Sequence, residues 1–264
     1  MTSRDPALIT QNPSLTLVVP VFNEESRLAR NGMDLINYIE SKPAGSGLII
    51  VNDGSTDGTA RVACEIENCS SRARVVQLPH LGKGAAIAYG LAKAKTTLAG
   101  YTDVDLSTPL REVDRLFAAA SRTHELVIGS RGLPEATIGN HQARVREVLG
   151  RMFNWYVQMT IAPGIKDTQC GAKFAQTTTW REILNTTREE GFAWDAEAVA
   201  LAIRLGFGVL EVGIEWSHDP QTRVSVVADG MKMAWAVTRI LTSLHGVPSM
   251  KRMQWPRAQG ADDG

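Results

Sequence analysis

Short apolar runs alternate with amphipathic stretches through the first half of the chain. Leu15–Val19, Leu48–Val51, Arg74–Leu78, Leu98–Thr102 and Leu126–Gly129 are rich in β-branched and aliphatic residues and have the length of buried strands. Between them, Glu25–Ser41, Thr56–Cys69, Gly84–Lys95 and Leu110–Ser121 carry apolar residues at helical spacing. This alternation predicts an α/β fold: a mostly parallel central sheet with helices on both faces. Beyond Arg131 the period lengthens. Val145, Val148, Leu149, Met152, Tyr156 and Met159 predict one long helix, and Pro163-Gly164 and Asp167–Gly171 a loop. A helix around Ala193–Leu205, a strand over Val209–Trp216 and a final helix striped by Val227, Met231, Ala234, Val237, Leu241 and Leu244 follow. No internal repeat interrupts the pattern.

The expected organisation is a flexible N-terminus (1–13), one domain over 14–245 and a disordered Gly- and charge-rich tail (246–264). The domain divides into a nucleotide-binding half (about 14–130) and an acceptor half (about 131–245). No apolar run approaches the ~20 residues of a membrane helix, and the first residues lack a secretory pattern. In 264 residues, 28 Lys and Arg balance 28 Asp and Glu. No global field therefore draws nucleic acid, and an anionic ligand needs a local site. Three cysteines, Cys64, Cys69 and Cys170, fit no zinc spacing and read as reduced thiols of a cytoplasmic protein.

Ligands of such sheets bind at the carboxyl ends of the strands, where the polar motifs of this chain fall. Asp103-Val104-Asp105 places two carboxylates after the fourth strand, a donor set for a hard divalent cation whose open positions diphosphate oxygens can fill. An acidic loop capping the helix from Leu110 explains the same residues. A calcium hand is excluded because Thr108 stands where its loop requires Gly. Asp53-Gly54-Ser55 ends the second strand; Ser55 or Asp57 suits a helix cap, whereas capping leaves Asp53 unexplained and free to accept an N–H from a base edge. Pro20–Glu25 replaces the glycine-rich turn of a dinucleotide fold, and Gly82-Lys83-Gly84 lacks the flanking residues of a phosphate loop.

Pro20–Glu25, Asp53–Thr59, Gly82-Lys83-Gly84 and Asp103–Asp105, in this order, resemble family 2 glycosyltransferases of the GT-A (Rossmann-like) fold. Gly129-Ser130-Arg131, Asp167–Phe174 and Phe192–Glu197 are similar to the dolichyl- or polyprenyl-phosphate glucosyltransferase branch. The resemblance spans roughly 15–240. It implies that Pro20, Phe22, Glu24 and Asp53 line the base and ribose pocket and that Lys83 belongs to the substrate site. It further implies that Asp105 ligates Mg²⁺ or Mn²⁺ directly, with Asp103 facing the metal or ribose. Arg131 and Arg146 would bind phosphates, the helix face through Gly150, Phe153 and Val157 would guide a lipid chain, and Gln169 and Asp195 would sit at the sugar with Glu197 below. Arg223 stands where the family often has a lysine, and its planar fork changes the phosphate geometry.

The implied reaction is inverting transfer of glucose from UDP-glucose to polyprenyl phosphate, a nucleophile already ionised near neutral pH. The protein would meet its lipid as a peripheral protein on the cytoplasmic membrane face. The rivals are a family 2 enzyme with a soluble hydroxyl acceptor, which would need a carboxylate base such as Asp195, and a non-catalytic nucleotide-sugar binder.

Overall fold

The computed structural model describes residues 13–139, 144–217, 226–244 and 246–247, and the backbone alone at 144–149, 151 and 226–234. Within these, β1 (Leu15–Val21), β2 (Gly47–Asp53), β3 (Ala73–Leu78), β4 (Leu98–Tyr101) and β5 (Leu126–Ser130) alternate with α1 (Glu25–Glu40), α2 (Thr59–Cys69), α3 (Lys83–Ala92) and α4 (Leu110–Ala120). The expected βα alternation is present throughout this half. β6 (Thr137–Ile138), α5 (Arg144–Thr160), β7 (Lys173–Gln176), α6 (Thr177–Leu184), α7 (Trp194–Arg204), β8 (Val209–Gly213), β9 (Glu215–Trp216) and α8 (Val226–Leu244) complete the chain.

One seven-stranded sheet runs β3-β2-β1-β4-β7-β5-β8, and β6 and β9 form a separate parallel pair. All pairings in the large sheet are parallel except those of β7, which opposes both β4 and β5. Strands from both halves of the chain thus share one sheet.

The sheet is covered on both faces. Leu15, Leu17, Val19 and Val21 of β1 face a core with Leu28, Leu35 and Ile39 of α1, Ile66 of α2 and Leu116 of α4. Val18, from the same strand, points the other way, into a core with Ile87 of α3, Trp180 of α6, Leu201 of α7 and Ile240 of α8. The period-2 alternation of one strand therefore feeds two cores.

Four stretches differ from their sequence signals. β7 and α6 have no counterpart in the apolar pattern, because β7 opens with a lysine and α6 with three threonines of modest helix propensity. Tertiary burial decides them: Trp180 is fully buried and its indole N–H donates to the Ala99 carbonyl at 2.8 Å. The run over Val209–Trp216 divides at Ile214 into β8 and β9, which belong to different sheets. In α5 the stripe is rotated: Met152 and Met159 are exposed, while Val157 is buried and Ile161 beyond the helix joins it.

Candidate active site

The carboxyl ends of β1, β2 and β4 meet along one rim. At the first, Asn23 takes a left-handed conformation (φ 54°), its N–H donates to Ser55 Oγ at 2.9 Å, and its Oδ1 accepts the Thr56 N–H at 2.8 Å. Ser55 thus joins two strand ends rather than capping α2; the Thr59 N–H donates to Asp57 Oδ1 at 3.0 Å. Pro20 is buried within β1, and Glu24 lies beyond it, receiving both Nη1 hydrogen bonds of Arg27 at 2.8 and 2.9 Å. Phe22 is exposed and its ring stacks on His80 at 4.0 Å, 14° from parallel.

Asp53 is buried beneath this stack. Its carboxylate accepts the His80 ring at 2.8 Å, the Leu81 N–H at 2.8 Å and the Gly82 N–H at 3.0 Å. The expected acceptor for a base edge is thereby also the anchor of the 80–82 loop. That loop turns at Gly82 (φ 116°), where a side chain would be strained and would collide with the Glu190 carbonyl. It delivers Lys83 to the first position of α3.

Lys83 lies between the acidic residues of the rim. Its Nζ is 2.7 Å from Asp103 Oδ1 and 4.0 Å from Asp195 Oδ2. Burial works to lower the pKa of this ammonium, but Asp103 and Asp195 outweigh it and hold Lys83 above the usual lysine value. Loss of solvent raises the Asp103 carboxyl; Lys83 pulls it back, and Asp105 and Asp195 push it up. Asp105 accepts the Ser107 N–H at 2.9 Å through Oδ1. Asp105 and Asp103 are hard oxygen donors on one short loop. Lys83, a cation already drawn between carboxylates there, marks the rim as a place for positive charge. Among the described residues no group of three or more His, Cys, Asp or Glu could hold a metal ion. Two carboxylates with the remaining positions left to waters and diphosphate is the usual arrangement for Mg²⁺. The donor set fits Mg²⁺ or Mn²⁺.

The second half of the chain supplies the opposite wall. Gly171 packs so closely against Asp103 that an added Cβ would sit 1.9 Å from Asp103 Oδ2. Asp195, in the first turn of α7, accepts from the Tyr101 hydroxyl and the Lys173 ammonium with the same oxygen, Oδ1. Lys173 is fully buried and also donates to the Cys170 carbonyl at 2.7 Å. Glu197, two residues on, has other partners: it accepts the Thr187 hydroxyl and the Arg188 and Glu189 N–H groups at 3.1 and 2.9 Å. It holds the 187–189 loop, whose continuation lies against Gly82 and Gly84.

Arg131 is already engaged. Its Nε and Nη2 reach Asp167 at 2.7 and 3.0 Å, its backbone N–H donates to Asp167 at 2.9 Å, and its guanidinium lies 5.2 Å over the Trp216 ring. Burial acts to raise the Asp167 carboxyl, yet Arg131 prevails and holds it below the usual range. Gln169 donates its backbone N–H to Asp167 at 3.1 Å, while its buried Nε2 has no protein partner among the described residues. A buried amide donor left without a partner is an exception that calls for one. The Arg146 side chain and Arg223 lie outside the described residues. His80 and Tyr101 belong to no motif, and Lys173 lies within the Asp167–Phe174 stretch without a role of its own there; a lysine set between Ala172, Phe174 and Ala175 is a local sign of a buried ion pair.

The Glycosyl transferase family 2 model matches residues 16–174. Dolichyl-phosphate beta-glucosyltransferase ALG5D of Trichomonas vaginalis is 30% identical over 240 residues, covering 86% of this chain and 72% of that one. Dolichyl-phosphate beta-glucosyltransferase of Drosophila melanogaster is 31% identical over 226 residues, covering 80% and 69%. Among solved structures, glucosyl-3-phosphoglycerate synthase from Mycobacterium tuberculosis in complex with UDP superimposes with a TM-score of 0.59 at 21% identity, covering 93% of this chain and 88% of that one. That likeness bears on the fold, which is the α/β GT-A class. With a family match across more than half its length and relatives of this identity along most of theirs, the chain belongs to glycosyl transferase family 2, beside its dolichyl-phosphate glucosyltransferases.

Proposed function

We propose that this glycosyltransferase moves glucose from UDP-glucose to a polyprenyl phosphate of the dolichyl type, inverting the anomeric centre. The observation that carries the reading is the gathering of Asp103, Asp105, Asp195 and Lys83 on one rim, with Asp195 Oδ1 already bound to Lys173 and Tyr101. With two donors already on it, Asp195 Oδ1 is not free to take an acceptor's proton. A hydroxyl acceptor needs a base, whereas a phosphate monoester attacks in its ionised form. The relatives named for dolichyl phosphate point the same way.

Phe22, stacked on His80, offers the uracil a ring face, with Pro20 and Glu24 at the ribose side and Asp53 fixing the loop beneath. Asp105 and Asp103 would hold Mg²⁺ or Mn²⁺, which would supply positive charge against the departing UDP. Lys83 adds a second positive charge where the diphosphate lies. Gln169 Nε2 donates to a glucose hydroxyl, and Asp195 Oδ2 faces the anomeric region. Arg146 and Arg223 are the cations assigned to the acceptor phosphate, while Arg131 works as a strut through Asp167.

No helix among the described residues is long and apolar enough to cross a membrane. The lipid is reached instead from the cytoplasmic side through the α5–α8 face. Met152, Trp155 and Met159 of α5 and Trp235 of α8 are 61%, 65%, 67% and 64% exposed. Tyr156 bonds Thr238 at 2.8 Å between the two helices, and Arg239 stacks 4.8 Å over Trp235. Tryptophan beside a cation suits the interfacial region of a bilayer.

The test is UDP release from UDP-glucose with polyprenyl phosphate, with 3-phosphoglycerate and with a simple alcohol as acceptors. Turnover should require polyprenyl phosphate and a divalent cation, and Asp105→Ala should lower it by about a hundredfold or more without lowering the melting temperature. Equal turnover with the alcohol, or full activity in chelator, overturns the reading.

A further inference from the structure

Lys173 and Tyr101 stand directly opposite each other where antiparallel β7 meets β4. Their side chains converge, with the Lys173 ammonium 5.5 Å from the Tyr101 ring centre, and both polar ends reach the same oxygen of Asp195. Trp194 closes the cluster edge-on to Tyr101 at 5.6 Å. A fully buried lysine is an expensive residue: desolvation of the pair commonly offsets its attraction, and apolar side chains of similar volume usually serve stability as well. Packing alone does not explain an ion pair here.

The division of labour within Asp195 does. Oδ1 is saturated from below by two donors, while Oδ2 is 4.0 Å from Lys83 and turned to the rim. Rotation of the carboxylate would break both lower bonds, so the upper oxygen is held in place. The charges also divide in pairs. Lys173 takes Asp195 at hydrogen-bond distance, which leaves Lys83, bonded to Asp103 at 2.7 Å, only the longer 4.0 Å contact with Asp195 when an anionic diphosphate arrives. Without Lys173, one ammonium would serve two carboxylates.

We infer that Lys173 and Tyr101 are positioning residues for the transfer reaction: they clamp Asp195 by Oδ1, aim Oδ2 at the reacting centre and release Lys83 to the donor diphosphate. The inference rests on the reading of Asp195 as a residue of the transfer site.

A double-mutant cycle on the full chain tests it, with initial rates for UDP-glucose and polyprenyl phosphate and melting curves for every variant. Tyr101→Phe removes one hydroxyl and keeps the ring, so it avoids the unpaired charge that Lys173→Met would leave. Its kcat should fall about tenfold with KM for UDP-glucose unchanged, the size expected for one lost hydrogen bond to a charged group. In the Asp195→Asn background the same change should cost nothing further, because the residue it acts through is already lost. Tyr101→Phe at wild-type kcat beside a crippled Asp195→Asn, or fully additive losses, overturns the clamp alone. An Asp195→Asn variant at wild-type kcat overturns both the clamp and the reading beneath it.

Discussion

Gly171 touches Asp103 so closely that the hydrogen on its α-carbon is the largest group the site accepts there; a methyl carbon would overlap Asp103 Oδ2 at 1.9 Å. The carboxylate, not the backbone of the loop leading into β7, is what would have to move. Gly171→Ala should therefore displace Asp103 from Lys83 and lower kcat by about a hundredfold, a loss typical of misplaced reacting groups. The fold should survive, with a melting temperature within a few degrees of wild type. Rates and melting curves on one preparation check this, and a fully active alanine variant would show that Asp103 has room to spare.

Asp53 links the base pocket to the Lys83 loop, so its loss should register in two places. Asp53→Ala frees the His80 ring and the Leu81 and Gly82 N–H groups. Stability should drop by about 1.5–3 kcal/mol, the range for hydrogen bonds to a charged acceptor. UDP affinity should fall roughly tenfold to a hundredfold. Calorimetry with UDP and chemical denaturation measure the two effects; unchanged UDP binding would confine Asp53 to a structural role.

Asp167 should make the protein acid-sensitive in a defined window. With its folded carboxyl held below the usual aspartate value by Arg131, the unfolded chain takes up the proton first as pH falls. The stabilisation is complete above about pH 5 and is lost progressively through pH 4 and below. Asp167→Asn should lower stability at neutral pH by about 2 kcal/mol and flatten the acid limb of the stability curve. Denaturant midpoints between pH 3 and pH 7 test both; parallel curves for the two proteins would count against the assignment.

The cysteines should divide by reactivity. Cys64 and Cys69 are exposed, whereas Cys170 is buried and burial, aided by Asp167, pushes its thiol up to about 11. A thiol reagent at pH 8 should modify Cys64 and Cys69 in the folded protein and Cys170 only after unfolding, because the thiolate is the reactive form. Peptide mapping of the labelled chain decides it.

The polar ends of β1, β2 and β4 were legible in the sequence because each follows a short apolar run and a parallel sheet sends such ends to one rim. Pro20, Phe22, Asp53, Asp103 and Asp105 accordingly fall where the alternation puts them. Less legible was anything settled by a distant neighbour. β7 hides behind Lys173, whose charge is answered by Asp195 from α7, and α6 is decided by Trp180 reaching Ala99 rather than by its threonines. The stripe read along α5 put Met152 and Met159 inward and left the face through Gly150, Phe153 and Val157 to a lipid chain; packing reverses this, burying Val157 with Phe153 against the core and exposing the two methionines. His80 carries no motif, since its two partners, Phe22 and Asp53, come from the ends of two other strands.

The position of β7 has a consequence for how the molecule is made. β4 and β5 are consecutive in the chain but not neighbours in the sheet; β7 lies between them, hydrogen-bonded to both. A chain emerging from the ribosome therefore completes β5 at Ser130 long before the strand that seats it, which begins at Lys173, exists. Through that interval the exposed edges of β4 and β5 await the same insert, and each is a template for wrong pairing. When β7 enters, it runs against its neighbours, so the loop leading into it, not the one leaving it, arrives at the carboxyl ends of β4 and β5. Gln169, Gly171 and Lys173 come with it. Closing the gap between β4 and β5 thus also delivers one wall of the reaction site, while Asp195 follows later on α7, so a chain cut before Trp194 has the strand that seats β5 but lacks Asp195.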